Sequence, residues 1–190
     1  MKLTLGENKT YLYLAMIAVM SWGLVKLTGI DQLERAIVPT HSPDYFSKGY
    51  TKWEMNELGK LKSKLLADEL IHYTDDGTTH LGNPVMFFYN DKTPPWVVKS
   101  EAGILSADGK NLLLNGKVAI DRAKAEGVRE LKINTSNLKV KPETSHAKTV
   151  EWAELISPPN WTTGIGMKMV FKEPIYLELL SNVKGKYETK

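Results

Sequence analysis

Leu112, Leu114, Val118 and Ile120 fall on one parity of the chain, and Asn111, Asn115, Lys117 and Asp121 on the other. A period of two means a strand with one apolar and one wet face, a pattern that a helix does not produce. Trp96 and Val98 alternate with Val97 and Lys99 just upstream. Between the two runs, Ala107-Asp108-Gly109-Lys110 supplies a hairpin turn with a glycine available for positive φ. Pro95–Asp121 is therefore expected to be a section of a long, curved, antiparallel sheet.

Similar sections surround it. Lys52–Met55, Lys60–Tyr73, Pro84–Tyr89, Val128–Val140, Thr163–Phe171 and Ile175–Leu179 are strand-like. Turn signals separate them, among them Asn56–Gly59, Asp75-Asp76-Gly77 and Ser157-Pro158-Pro159-Asn160. A helical stripe is conceivable only over Ala123–Glu130. The pattern apolar-x-small-x-x-apolar (or Gly) occurs as Leu65-x-Ala67-x-x-Leu70, Val98-x-Ser100-x-x-Gly103 and Ile133-x-Thr135-x-x-Leu138. After each small residue the apolar parity shifts by one, as at a bulge where a sheet turns a corner. The fold class expected is all-β: a sandwich, roll or barrel.

One segment departs from this pattern. Tyr11–Val25 carries no charged side chain, and counted through Ile30 it is long enough, at ~1.5 Å per residue, to cross a ~30 Å hydrocarbon core. Lys26 can snorkel, and Tyr11, Tyr13 and Trp22 sit where interfacial aromatics do. A retained anchor is favoured. The alternatives are a signal peptide cut after Ser21-Trp22-Gly23, against which stands the lack of Ala-x-Ala, and a buried core helix. The positive-inside balance is nearly even, so the expectation that the bulk is exported rests on its following the span. The expected organisation is 1–30 tail and transmembrane helix, 31–48 linker, and 49–190 β-domain.

Little in the sequence suggests chemistry. The chain has no cysteine, which excludes thiolate catalysis, Cys-ligated zinc and disulfides. Net charge is +3, much of it from Lys2, Lys9 and Lys26, so no nucleic-acid partner is expected. The Lys60, Lys62, Lys64 alternation reads as a solvated strand face rather than an anion contact. His72 and His80 flank Asp75-Asp76, but those acids are explained as a turn, and no metal or cofactor is expected. Gly103–Lys110 fails as a phosphate loop, since Asn111 replaces Ser/Thr and no helix pattern follows. Asn134-Thr135-Ser136 and Asn160-Trp161-Thr162 match glycosylation sequons at chance level. No enzyme is expected, although a site assembled in space from scattered carboxylates stays open.

The order of short motifs does carry a resemblance. It comprises the anchor followed by Pro43-Asp44-Tyr45, then Gly59-Lys60-Leu61 and Leu65-x-Ala67-x-x-Leu70-x-His72-Tyr73. Pro84-Val85, Trp96-x-Val98-x-Ser100 and Leu112-x-Leu114-x-Gly116-x-Val118-x-Ile120 follow. Gly166-Met167-x-Met169 and Val183-x-Gly185-x-Tyr187 complete the series, which resembles the lipopolysaccharide-export LptC family over nearly the whole chain. The resemblance implies one inner-membrane helix and a periplasmic open, V-shaped β-jelly roll with no activity of its own. It implies lipopolysaccharide as cargo, an inner-membrane ABC transporter (LptF/LptG with the LptB ATPase) as source, and a soluble LptA-like protein as recipient. The inward parity of the matching strands gives Leu81, Trp96, Val98, Leu112, Leu114, Val118, Ile120, Leu131, Ile133, Ile165, Met167, Met169, Leu177 and Leu179 as candidate lipid contacts. Ile175, Leu177, Leu179, Val183 and Tyr187 are the candidate docking edge for the soluble partner, and Tyr50–Met55 is expected to face the transporter. An envelope adaptor whose apolar face is plain core is the rival reading.

Overall fold

The computed structural model describes residues 8–27 and 41–188. The chain divides into two compact units, Met1–Thr40 and His41–Lys190. In the first, α1 spans Asn8–Leu27, with Lys26 in its last turn, where a cation suits the helix dipole. Lys9–Leu27 is long and apolar enough to cross a membrane, and none of it is buried within the protein. Residues 28–40, including most of the segment read as a linker, lie outside the described residues.

The second unit is a single ten-stranded sheet. Its strands are β1 (Pro43–Met55), β2 (Leu61–Tyr73), β3 (Thr79–Gly82), β4 (Val85–Phe88), β5 (Trp96–Leu105), β6 (Leu112–Arg122), β7 (Leu131–Lys141), β8 (His146–Ser157), β9 (Asn160–Val170) and β10 (Tyr176–Lys186). The topology is an antiparallel meander in which β3 and β4 lie end to end between β2 and β5. β1 and β10 are its two ends. The strand begins earlier than the sequence reading placed the domain: Pro43–Lys48 belongs to β1, with Phe46 opposite Ile71 and Ser47 opposite Leu70. Proline is tolerated at the first position of an edge strand because no partner needs its N–H.

A line of bulges crosses the sheet. Register slips between Ser100 and Ala102, Leu114 and Lys117, Asn134 and Lys139, Thr149 and Trp152, and Ser181 and Lys184. The Asn83-Pro84 break between β3 and β4 falls on the same line. Backbone carbonyls freed there are taken up by small hydroxyls: Ser100 Oγ donates to Asn115 O at 2.8 Å, Thr135 Oγ1 to Trp152 O at 2.8 Å, and Thr149 Oγ1 to Ser136 O at 2.8 Å. Two copies of the repeated sequence motif thus mark the corner, with Ser100 and Thr135 as its small residues. Gly166 in β9 has φ +73°, and a Cβ there would lie 2.9 Å from Leu180 Cδ1, so a side chain at this bend is strained.

The corner folds the sheet over on itself. Phe88 of β4 stacks on Phe171, just past β9, with ring centroids 4.4 Å apart, and Trp96 leans on the same ring at 5.9 Å. Two polar ties join the same halves: Asn90 Nδ2 donates to Phe171 O at 3.0 Å, and Lys62 Nζ to Glu143 O at 2.6 Å. Ala123–Glu130, the one window where a helical stripe was conceivable, is a hairpin tip, with Ala125 and Val128 exchanging both backbone hydrogen bonds. β8 escaped the sequence reading because its inward residues, Ala147, Thr149 and Ala153, are small or hydroxylated and give little hydropathy contrast.

Candidate functional site

The inner face of the roll forms one apolar cluster. Leu81, Trp96, Val98, Leu112, Leu114, Val118, Ile120, Ile133, Met167 and Met169 are all buried in it, none more than 3% exposed. Leu131, Leu177, Leu179 and Ile175 are half-buried and pack against it. Alternation therefore located these positions well. Leu138, Val140 and Phe171, which continue the same alternation but were not among the candidate contacts, are wholly buried too, as is Phe88, whose all-apolar run gives no alternation to read. One assignment is corrected: Ile165 faces outward, 43% exposed, while Gly164 and Gly166 are buried. The bulge at Gly166 reverses the parity between Ile165 and Met167, which simple alternation across β9 cannot register.

The far mouth of this interior holds orphaned polar groups. Trp96 Nε1, Arg122 Nε and Thr93 Oγ1 are buried without a hydrogen-bond partner. The Arg122 guanidinium lies over the Trp96 ring at 4.5 Å, a cation–π contact that covers the indole. Burial pulls the Arg122 pKa below its ordinary value. Arg122 also lines a recess of about 460 Å³ with Asp121, Glu130, Leu131 and Pro94.

The two edges, unpaired among the described residues, complete the site. β1 sets Tyr50 opposite Ala67, Lys52 opposite Leu65 and Glu54 opposite Ser63, so these three share the inner face with buried partners. Glu54 accepts from Lys62 Nζ at 2.9 Å and Ser63 Oγ at 3.1 Å. Burial raises the Glu54 pKa, but those bonds, with the charges of Lys62 and Lys52, outweigh it and hold the carboxyl below its usual range. β10 sets Leu177 opposite Met169 and Leu179 opposite Met167. Val183 and Tyr187 are exposed, with Tyr187 Oη 2.9 Å from Thr162 Oγ1.

The remaining candidates resolve into local structure. Lys60 pairs with Asp91 at 3.1 Å, Lys62 with Glu54, and Lys64 sits over Trp53 at 5.8 Å. The three do not share an anion site. His72 stacks on Tyr45 and His80 meets Tyr73 edge-on. It is His41 that reaches the Asp75-Asp76 turn, 3.1 Å from Asp75 Oδ2. The three groups are exposed and their ligand atoms lie within 4.8 Å of one another. Asp76 already accepts from the Thr78 hydroxyl and backbone, which lower its pKa.

Comparison with known proteins fits this architecture. The family model described as lipopolysaccharide-assembly, LptC-related, matches residues 11–188. The lipopolysaccharide export system protein LptC of Escherichia coli (strain K12) is 25% identical over 179 residues, 91% of this chain and 92% of that protein. The protein of the same name in Shigella flexneri matches to the same extent. The crystal structure of LptH, the LptA homologous periplasmic component of the conserved lipopolysaccharide transport device from Pseudomonas aeruginosa, superimposes with a TM-score of 0.51 at 9% identity. It covers 67% of this chain and 95% of LptH, so the β-jelly-roll fold is shared without close sequence similarity. With a family match that runs from within α1 past the last strand, this chain belongs to the LptC-related lipopolysaccharide-assembly family.

Proposed function

We propose that this chain is a membrane-anchored carrier in lipopolysaccharide transport. In this reading α1 crosses the inner membrane and the roll, from about Pro43 onward, lies in the periplasm. It takes lipopolysaccharide from the LptF/LptG transporter powered by LptB, through β1, and passes it through β10 to a soluble LptA-like protein. It performs no covalent chemistry itself.

The observation that carries the reading is a continuous apolar inner face bounded by two strands that do not pair with each other. An unpaired edge is an aggregation hazard unless another chain completes it, and adding a strand is how sheets dock end to end. Acyl chains can replace side chain–side chain contacts at ~0.8 kcal/mol per buried CH₂. Separating the halves breaks the Phe88–Phe171 stack and the Lys62–Glu143 and Asn90–Phe171 ties. The adaptor reading draws on a different observation, the near-complete burial of Leu112, Leu114 and Ile133.

Photo-crosslinking amino acids at Leu114, Ile133 and Met167 separate the two readings. In cells they should form adducts with lipopolysaccharide. If all three stay blank while an LptA-like partner is still captured at Val183, the protein is an adaptor with a sealed core.

A further inference from the structure

The outer face of β7–β9 carries cations in register. Lys139 lies opposite Lys148, and Lys148 opposite Lys168, so three lysines line up across three strands roughly 5 Å apart. In the next row Lys141 lies opposite His146. All five side chains are exposed. In these two rows the opposing acid is Glu178 of β10, whose carboxylate is 3.8 Å from Lys168. On the β6 side Lys139 meets Leu113. Like charges directly opposite one another destabilise a sheet pair, so this ladder is held at a cost that an external polyanion relieves.

The surroundings say which anion. The lysines rim a groove of about 790 Å³ that Val170, Tyr176, Asn111 and Thr144 also line. A cationic rim with an apolar and tyrosine-bearing wall suits the headgroup layer of a bilayer better than a free ion.

We propose that the outer face of β7–β9 is a docking site for the phosphate-bearing headgroups of an anionic phospholipid bilayer. The inference depends on α1 being membrane-embedded and not on what the interior carries. The full chain is placed in nanodiscs of phosphatidylcholine alone or with phosphatidylglycerol, and the acetylation rate of each lysine is read by mass spectrometry. Lys139, Lys148 and Lys168 should react at least about threefold more slowly in the anionic discs and recover in high salt. Lys117 and Lys184, away from the groove, should not change. Lys148→Glu, which sets an acid between Lys139 and Lys168, should abolish protection at both without lowering the melting temperature. Equal rates in both discs overturn the proposal. So does protection that appears only when lipopolysaccharide is added, because the occupant is then the cargo and not the bilayer.

Discussion

The two edges of the roll are built differently. At β10 the inner face begins with Leu177 and Leu179, which continue the apolar surface of Met169 and Met167 without interruption. At β1 the inner face carries Tyr50 at the corner and then turns polar, with Lys52 and Glu54 opposite Leu65 and Ser63. Glu54, Lys62 and Ser63 close that half of β1 with a hydrogen-bonded ion pair. The Leu177–Leu179 half of β10 thus prolongs the apolar track, whereas the Lys52–Glu54 half of β1 stops it. Under the proposed function an acyl chain would meet apolar side chains at Leu177 and Leu179 of β10, whereas at β1 only the half from Pro43 to Tyr50 would avoid burying a charged pair.

The largest effect is expected from removing what both edges share. Phe171→Ala deletes the ring that holds Phe88 and Trp96 together, and should cost about 3–5 kcal/mol, lowering Tm by roughly 10 °C. Thermal unfolding followed by circular dichroism checks it. A smaller change loosens β10 alone. Gly166→Val forces a side chain into a positive-φ site against Leu180, at a cost of about 1–3 kcal/mol. Hydrogen exchange should quicken in β10 and stay unchanged in β1.

The β1 edge has its own signature in pH. Because the folded Glu54 carboxyl titrates below its unfolded value of about 4.3, its stabilisation is complete above that value and is lost as pH falls through the lowered one. Glu54→Gln should remove that part of the acid sensitivity and lower Tm near neutral pH by about 2–4 °C, the scale of a partly exposed pair. The smallest effect belongs to Lys117, outward on β6. Lys117→Asp should stay within about 0.5 kcal/mol of the parent in a melt and leave lipopolysaccharide export intact.

Much of this was legible in the sequence. Period two placed β5, β6 and β7, and the recurring small residues marked the corner before any coordinates did, because a bulge must shift apolar parity. Where parity changes inside a strand without that motif, as at Gly166, Ile165 was misplaced. Where inward residues are small, as in β8, no contrast was left to read. The polar half of β1 was invisible for another reason: Lys52 and Glu54 look like ordinary exposed charges until Leu65 and Ser63 stand opposite them. The closure of the interior by Phe88 and Phe171, 83 residues apart, is a tertiary fact that periodicity does not contain.

The difference between the edges is open to one direct measurement. Photo-crosslinkers are placed at Leu179 and, in a second strain, at Lys52, and adducts with lipopolysaccharide are scored in growing cells. If the apolar track leaves through β10 and is blocked at the polar half of β1, Leu179 yields adducts and Lys52 does not. Adducts at Lys52 as strong as those at Leu179, or none at Leu179, would contradict it.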